Sequence, residues 1–559
     1  MKHFSFFLTL LLLTACTRDP ESGPAPGVGQ TPMQEFYIPG VFRIKLRETA
    51  AELDTRAFTR SGSGSGIAAF DAAATRAGAT AVQRVFSDGD RFRERRRRAG
   101  LHLWYDVHFS GAISVAEAME RFGRVDEVEC IEPVPRMVPA GATVSQADFS
   151  RTSGSDNVAI PGFDDPLLVN QWIYHRVGAA VGSTAVADLN IFPAWSVSTG
   201  HKDVVVAVVD GGIDYTHPDL AANIWRDGQG ACGYNFCRHN TEITPSSHGT
   251  HVAGTIGAVN NNGIGVCGIA GGDGTPGSGV RLMSCQIFDE PGRDAATIEE
   301  IMVWTADHGA VISQNSWTYV PGLPDLSQSG KAAIDYFIKY AGCDENGNQT
   351  GPMKGGIVIF AAGNDGISDP VFPGAYEKVV AVASLGIDGR KVAGSNYGSW
   401  IDLAALGGHA TGDERFRVFS TTTNGGYGYS AGTSMAAPQV SGIAALAVAA
   451  FGVQRPGFTS EKLREILVGS GRKHNHGRGS PLAHGAEQGV AIHIRQAQVQ
   501  KDQIRAMGCD QGQGLCAGGG LHHLVLVGGE NGAQQLEDAF FILHNQQFDR
   551  HIRSPFPAA

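Results

Sequence analysis

Residues 204–209 form an unbroken apolar run, Val-Val-Val-Ala-Val-Val, closed by Asp210. A strand with one wet face alternates apolar with polar residues. A strand without alternation is buried on both faces, the condition of a parallel sheet covered by helices on each side. Short runs of the same kind recur at 281–287, 311–314, 357–361 and 379–383, with helical patterns at 295–308, stopped by Gly309, and at 331–341. Strands alternating with helices predict an α/β fold built on an open parallel sheet, whose sites form beyond the carboxyl ends of the strands.

Composition removes other classes. Glycine supplies 75 of 559 residues, roughly twice the usual ~7%, but without the three-residue period of collagen. An apolar content of 42% excludes a wholly disordered chain. A formal net charge of −11 lacks the basic footprint of a general nucleic-acid binder, so no nucleic-acid partner is expected.

The N-terminus reads as an address. Lys2 and His3 precede an apolar run over 4–14, too short for the ~18 residues of a spanning helix. It ends in Leu13-Thr14-Ala15-Cys16, which resembles the bacterial lipobox, so residues 1–15 are expected to be a lipoprotein signal peptide and Cys16 to carry lipid. The alternative is an ordinary signal peptide with an incidental cysteine. Thr17 favours delivery to the outer membrane, and residues 16–34, rich in Pro and Gly, read as a tether. Of the eight other cysteines, Cys232 and Cys237 are close enough for a small loop disulfide in an exported protein, whereas Cys267 and Cys285 sit in apolar surroundings.

Residues 35–139 show strand patterns at 36–46, 80–86, 101–109 and 127–133, and helical patterns at 65–77 and 114–122. The order βαββαβ predicts an α+β unit of ferredoxin type. Arg93-Glu94-Arg95-Arg96-Arg97-Arg98 within it reads as a solvated loop between two strands, with a dibasic-type processing site as the alternative. Residues 140–163 form a linker containing the processing region, 164–472 the α/β unit, and 473–559 a divergent His/Gln/Gly-rich tail holding eight of the 19 histidines.

Three phrases carry chemistry. Asp210 ends a strand and is followed by Gly211-Gly212. His248 opens His248-Gly249-Thr250-His251-Val252-Ala253-Gly254, which lacks the glutamate of the H-E-x-x-H zinc motif. Ser434 stands in Gly432-Thr433-Ser434-Met435-Ala436-Ala437-Pro438, at the start of a small-residue helical run whose N-terminus favours negative charge. Asp, His and Ser in that chain order strongly resemble the three signatures of the subtilisin-like (subtilase) serine endopeptidases over about 164–467.

That resemblance implies a subtilisin-like parallel-sheet peptidase with helices on both faces, preceded by a ferredoxin-like inhibitory, chaperone-like propeptide. It implies a catalytic triad of Asp210, His248 and Ser434, no cofactor for catalysis, and peptide or protein substrates besides the chain's own propeptide. Asn364, in Ala361-Ala362-Gly363-Asn364-Asp365-Gly366, would donate its amide to an oxyanion, with the Ser434 N–H as second donor. Substrate would lie along Ser316-Trp317-Thr318 and against Ala362 and Gly363. The family usually has a small residue where Thr318 stands, and Val371 lies near the inferred floor of the P1 pocket. A structural calcium site would use Asp165, Asp219 and Asn262. The implied function is a secreted, lipid-anchored serine endopeptidase of the cell envelope, self-processed from a precursor, with its catalytic domain released once the propeptide is cut away. An idle binding protein on a protease scaffold and an esterase with the same triad are the competing readings.

Overall fold

A computed structural model of the chain describes residues 36–55, 64–87, 91–140, 144–146, 162–174, 188–289, 296–410 and 412–469. The signal segment, tether, Cys16 and the tail over 473–559 lie outside the described residues.

The first unit runs β1 (Tyr37–Leu46), α1 (Ala68–Ala77), β2 (Ala79–Arg84), α2 (Arg93–Arg98), β3 (Trp104–Phe109), α3 (Val115–Phe122) and β4 (Val128–Pro135). Its sheet is antiparallel in the order β2-β3-β1-β4. Phe42 and Phe70 both meet Phe122 edge to face, and this unit has its own core with Ile44, Tyr105 and Val107. Each such side chain, fully buried, contributes about 1.5–3 kcal/mol. α3 starts where the Ser114 hydroxyl accepts the Glu117 N–H at 3.1 Å.

The chain continues through β5 (Met137–Pro139), β6 (Ser145–Gln146), α4 (Phe192–Trp195), β7 (Val205–Asp210), β8 (Gly233–Asn235), α5 (Ser247–Gly257), β9 (Arg281–Gln286), α6 (Ile298–Asp307), β10 (Ile312–Asn315) and β11 (Trp317–Tyr319). It ends with α7 (Gln328–Tyr340), β12 (Ile357–Ala361), β13 (Val380–Leu385), β14 (Leu403–Leu406), the hairpin β15 (Val418–Thr422) and β16 (Gly426–Ser430), α8 (Thr433–Phe451) and α9 (Ser460–Gly469). Seven parallel strands line up as β14-β13-β12-β10-β7-β9-β8. The unbroken run of β7 has the cause inferred from sequence. Val204, Val206 and Val208 face a core with Val252 and Met435, while Val205, Ala207 and Val209 face another with Ile301, Ile334 and Phe337. Among the described residues α8 alone is long and apolar enough to cross a membrane, and it is mostly buried inside the fold.

Two sequence expectations change. The arginine run is a helix, not a solvated loop, and Arg95 is fully buried against the second unit. Cys232 and Cys237 are both buried, one in each of the two cores flanking the sheet, so they form no loop disulfide with each other.

The first unit lies across α6 and α7. At their N-terminal ends Arg43 pairs with Glu299 at 2.5 Å, and Glu132 accepts the Gln328 and Ser329 N–H groups at 2.7 and 3.0 Å. At their C-terminal ends sit Arg95 and Arg96. A carboxylate at a helix N-terminus and arginines near helix C-termini both complement the helix dipoles.

Candidate active site

Asp210 is the last residue of β7, at the carboxyl edge of the sheet. The glycines that follow it let α5 approach: a Cβ on Gly249 would stand 2.6 Å from the Gly212 carbonyl oxygen, and one on Gly212, at φ +93°, 2.3 Å from that of Thr244. Side chains there would push α5 away. The Ser246 hydroxyl caps α5 by accepting the Gly249 N–H at 3.0 Å. Together these contacts bring His248 Nδ1 to 2.8 and 2.9 Å from the two Asp210 carboxylate oxygens. Burial alone would hold the imidazolium down, but the Asp210 carboxylate prevails and the His248 pKa lies above its ordinary 6.5. His251, one turn on, bonds Val418 O at 3.1 Å, and burial pushes it down to about 3, a neutral structural imidazole.

Ser434 occupies the first turn of α8 and is buried. Pro438, four residues on, has no N–H for the Ser434 carbonyl. That carbonyl instead accepts the Ser316 hydroxyl at 2.9 Å. Asn364 follows β12 and is oriented by Thr433, whose N–H and hydroxyl donate to its Oδ1 at 3.0 and 3.2 Å. Its Nδ2 is therefore turned outward, and it donates to the carbonyl oxygen of Ala140.

Ala140 belongs to the segment that leaves the first unit. β5 pairs antiparallel with β11, Pro139 opposite Trp317 and Val138 opposite Thr318, and the Ala140 N–H reaches Ser316 O at 3.4 Å. Met137 packs on the core that holds Trp317 and Tyr319. Ser434 Oγ stands 3.3 Å from Ala140 O and 3.4 Å from Ser316 O. Past residues 141–143, which are outside the described residues, β6 pairs antiparallel with β16. Residues 137–139 thus pair with β11 and residues 145–146 with β16, each in the β-augmentation mode of peptide recognition.

The sequence-predicted residues fall into three groups. Asp210 and His248 are joined, and Ser434, Asn364, Ser316, Trp317 and Thr318 all meet the 137–140 segment or pair with it. Ala362 and Gly363 form no hydrogen bond with that segment; they connect β12 to Asn364, Ala362 N–H donating to Val382 O and Gly363 N–H to Thr433 Oγ1. Val371 is buried just before Phe372, whose carbonyl holds the Tyr319 N–H at 2.8 Å. Two expected bonds are open: His248 Nε2 is buried without a partner, and no backbone bond joins Ser434 N to Ala140 O. Sequence reasoning missed Ala140 itself; a small residue before Gly141 is the sole trace it leaves there.

The residues expected to hold calcium also converge. Asn262 Nδ2 and the Val266 N–H donate to Asp219, both at 2.8 Å, and Asp165 Oδ2 takes the Asn261 N–H at 2.9 Å. Asp165 Oδ1 is buried without a donor, and Asp219 is pushed up to about 7, mainly by burial and further by Asp165. Two neighbouring buried carboxylates short of positive charge fit a hard cation with oxygen ligands. Among the described residues no group of three or more His, Cys, Asp or Glu is arranged for a metal, so amide and carbonyl oxygens would have to complete the shell.

The model of the Subtilase family matches residues 201–487 of this sequence. The chain belongs to the subtilase family. Over 261 residues this subtilase is 33% identical to the thermophilic serine proteinase of Bacillus sp. (strain AK1), covering 45% of the chain and 54% of that relative. Over 255 residues it is 31% identical to thermitase of Thermoactinomyces vulgaris, covering 45% of the chain and 77% of thermitase. The subtilase thus spans about half the length of the first of these relatives and three quarters of the second. The crystal structure of fervidolysin from Fervidobacterium pennivorans shares its fold, with a TM-score of 0.50 at 22% identity over 74% of this chain and 55% of that one.

Proposed function

We propose that this subtilase is a secreted, lipid-anchored serine endopeptidase, made as a precursor whose first substrate is its own Ala140–Gly141 bond. The observation that carries the reading is the Ala140 carbonyl, which accepts from Asn364 Nδ2 with Ser434 Oγ 3.3 Å away. Residues 35–139 act as its inhibitory, chaperone-like propeptide, and other peptides or proteins take the same path along β11 and β16 once that segment leaves.

The chemistry follows from the groups at the cleft. Ser434 Oγ attacks the carbonyl carbon while His248 Nε2 takes its proton, and Asp210 holds the imidazole tautomer and stabilises the imidazolium. The oxyanion is held by Asn364 Nδ2 and the Ser434 N–H. Collapse breaks the C–N bond, with the proton passing from His248 to the leaving amine. Water, deprotonated by His248, then cleaves the acyl-enzyme and frees Ser434. No cofactor enters these steps.

Calcium held by Asp165, Asp219 and Asn262 would neutralise the paired carboxylates and stiffen the 260–266 loop. Cys16 lies on the propeptide side of the cut, so the lipidated precursor is membrane-bound, in the outer membrane, and processing detaches the catalytic unit. More than one acyl chain is needed for stable anchoring, at about 0.8 kcal/mol per buried CH₂. Cys16→Ser should lose lipid labelling without losing catalysis.

A fluorophosphonate probe with casein as substrate separates this reading from an idle binding protein or an esterase. We expect labelling at Ser434 and casein hydrolysis, both absent in Ser434→Ala. A folded, unlabelled wild-type chain, or labelling without peptide-bond hydrolysis, overturns it.

A further inference from the structure

Arg95 sits in a socket made entirely by the peptidase unit apart from its own neighbour Phe92. Its Nε donates to the Tyr336 hydroxyl at 2.8 Å, and Nη1 donates to the carbonyls of Cys343 and Asp344 at 2.7 and 3.1 Å. Nη2 pairs with Asp307 Oδ1. The guanidinium carbon Cζ lies 3.7 Å from the Phe92 ring centroid, with the Tyr336 and Tyr340 ring centroids at 5.3 and 5.5 Å. Arg96 closes the other side of Asp307 at 2.5 Å. The geometry reads a planar fork of donors, which a lysine ammonium cannot reproduce.

The socket is remote from the cleft. Asp307 ends α6, just before β10 begins at Ile312, whereas Ser316 follows the end of β10. In a parallel sheet these are opposite edges. The first unit therefore grips the peptidase at two separated places: its outgoing strand β5 in the cleft, and Arg95 at the far edge. Cutting the bond after Ala140 alters only the first. Withdrawing Arg95 would leave the buried Asp307 carboxylate with the Tyr336 hydroxyl, at 2.8 Å, as its remaining bond once Arg96 leaves too. An uncompensated buried charge is strongly unfavourable, so the socket resists emptying.

We propose that this socket is an arginine-specific docking site for the propeptide, independent of the cleft, and that Arg95 is the single side chain whose release limits how fast the two units part after a cut. The proposal rests on the self-processing reading for its timing but not for the attachment itself. It assigns the arginine run a docking role in place of a processing site.

The test follows the two fragments of the full chain after processing, by size exclusion and by the onset of casein hydrolysis. Wild-type fragments should co-elute, with activity lagging behind cleavage. Arg95→Ala and Arg95→Lys should separate at least roughly 30-fold faster, the effect of losing a buried interface arginine. Arg97→Ala, whose side chain pairs with Glu52 inside the propeptide, should behave as wild type. Cleavage at the junction reports that each variant has folded. To keep self-processing out of the result, the same substitutions are made in Ser434→Ala with a recognition sequence for an added site-specific protease at 151–156. Co-elution of wild type but not Arg95→Ala after that external cut upholds the socket even if the chain never cuts itself. Equal co-elution of both, or separation of wild-type fragments on cutting, overturns it.

Discussion

The Ser316 hydroxyl donates to the Ser434 carbonyl at 2.9 Å, filling the place that Pro438 leaves without an N–H. One hydrogen bond thus ties the residue just before β11, the strand that pairs with β5, to the first turn of α8, which carries Ser434. Ser316→Ala leaves a buried carbonyl unsatisfied and should cost about 1–3 kcal/mol of stability, measured by denaturation in a Ser434→Ala background. Replacing Pro438 with alanine supplies an intrahelical N–H to the same oxygen. The cost of Ser316→Ala should then shrink in a double-mutant cycle; an unchanged cost would remove the link.

Asn364 presents one amide to the Ala140 carbonyl. Because Thr433 fixes its Oδ1, Asn364→Ala should fold normally and lose about 10²–10³ in kcat, roughly 2.7–4 kcal/mol, with KM little changed. Turnover within a few-fold of wild type would exclude Asn364 from the oxyanion hole.

The acid limb of activity should follow His248. Catalysis needs the neutral imidazole, and the Asp210 carboxylate holds its pKa above 6.5 despite burial. Activity is therefore lost as pH falls through a midpoint above 6.5 in the kcat/KM profile. Asp210→Asn leaves burial to act alone, so the limb should move below 6.5 while kcat falls by about 10⁴. A limb that does not move would show that another group titrates.

Calcium binding predicts a chelator effect. A ion bound only by the native state raises stability with its concentration, so EDTA should lower Tm and added calcium restore it. In Asp219→Asn the difference between EDTA and calcium should vanish. An equal Tm in both conditions for the wild-type chain, with calcium content checked by elemental analysis, would remove the site.

Legibility in the sequence followed burial symmetry. Strands buried on both faces, such as β7 and β12, stand out as unbroken runs. Very short strands and the Gly/Ser/Thr-rich hairpin do not: Gly233–Asn235, the four-residue Leu403–Leu406 and the hairpin 418–430 owe their place to neighbours rather than to their own pattern. Asp210, His248 and Ser434 were visible because each sits in a phrase of small residues that allows close approach. The role of Arg95 was invisible because its partners, Asp307 and Tyr336, lie 212 and 241 residues away, and six charged residues in a row read as solvated. Ala140 was hidden for a related reason: what marks it is the oxygen it presents to Asn364 and Ser434, not its side chain.

The central claim is that this chain cuts itself at the bond its own cleft holds. The direct measurement is N-terminal sequencing and intact mass of the purified full chain and of Ser434→Ala, with no other protease present. The account predicts a peptidase fragment beginning at Gly141 from the active chain, and an uncut Ser434→Ala. A Ser434→Ala chain cut at that junction, or an active chain whose new terminus lies elsewhere, would contradict it.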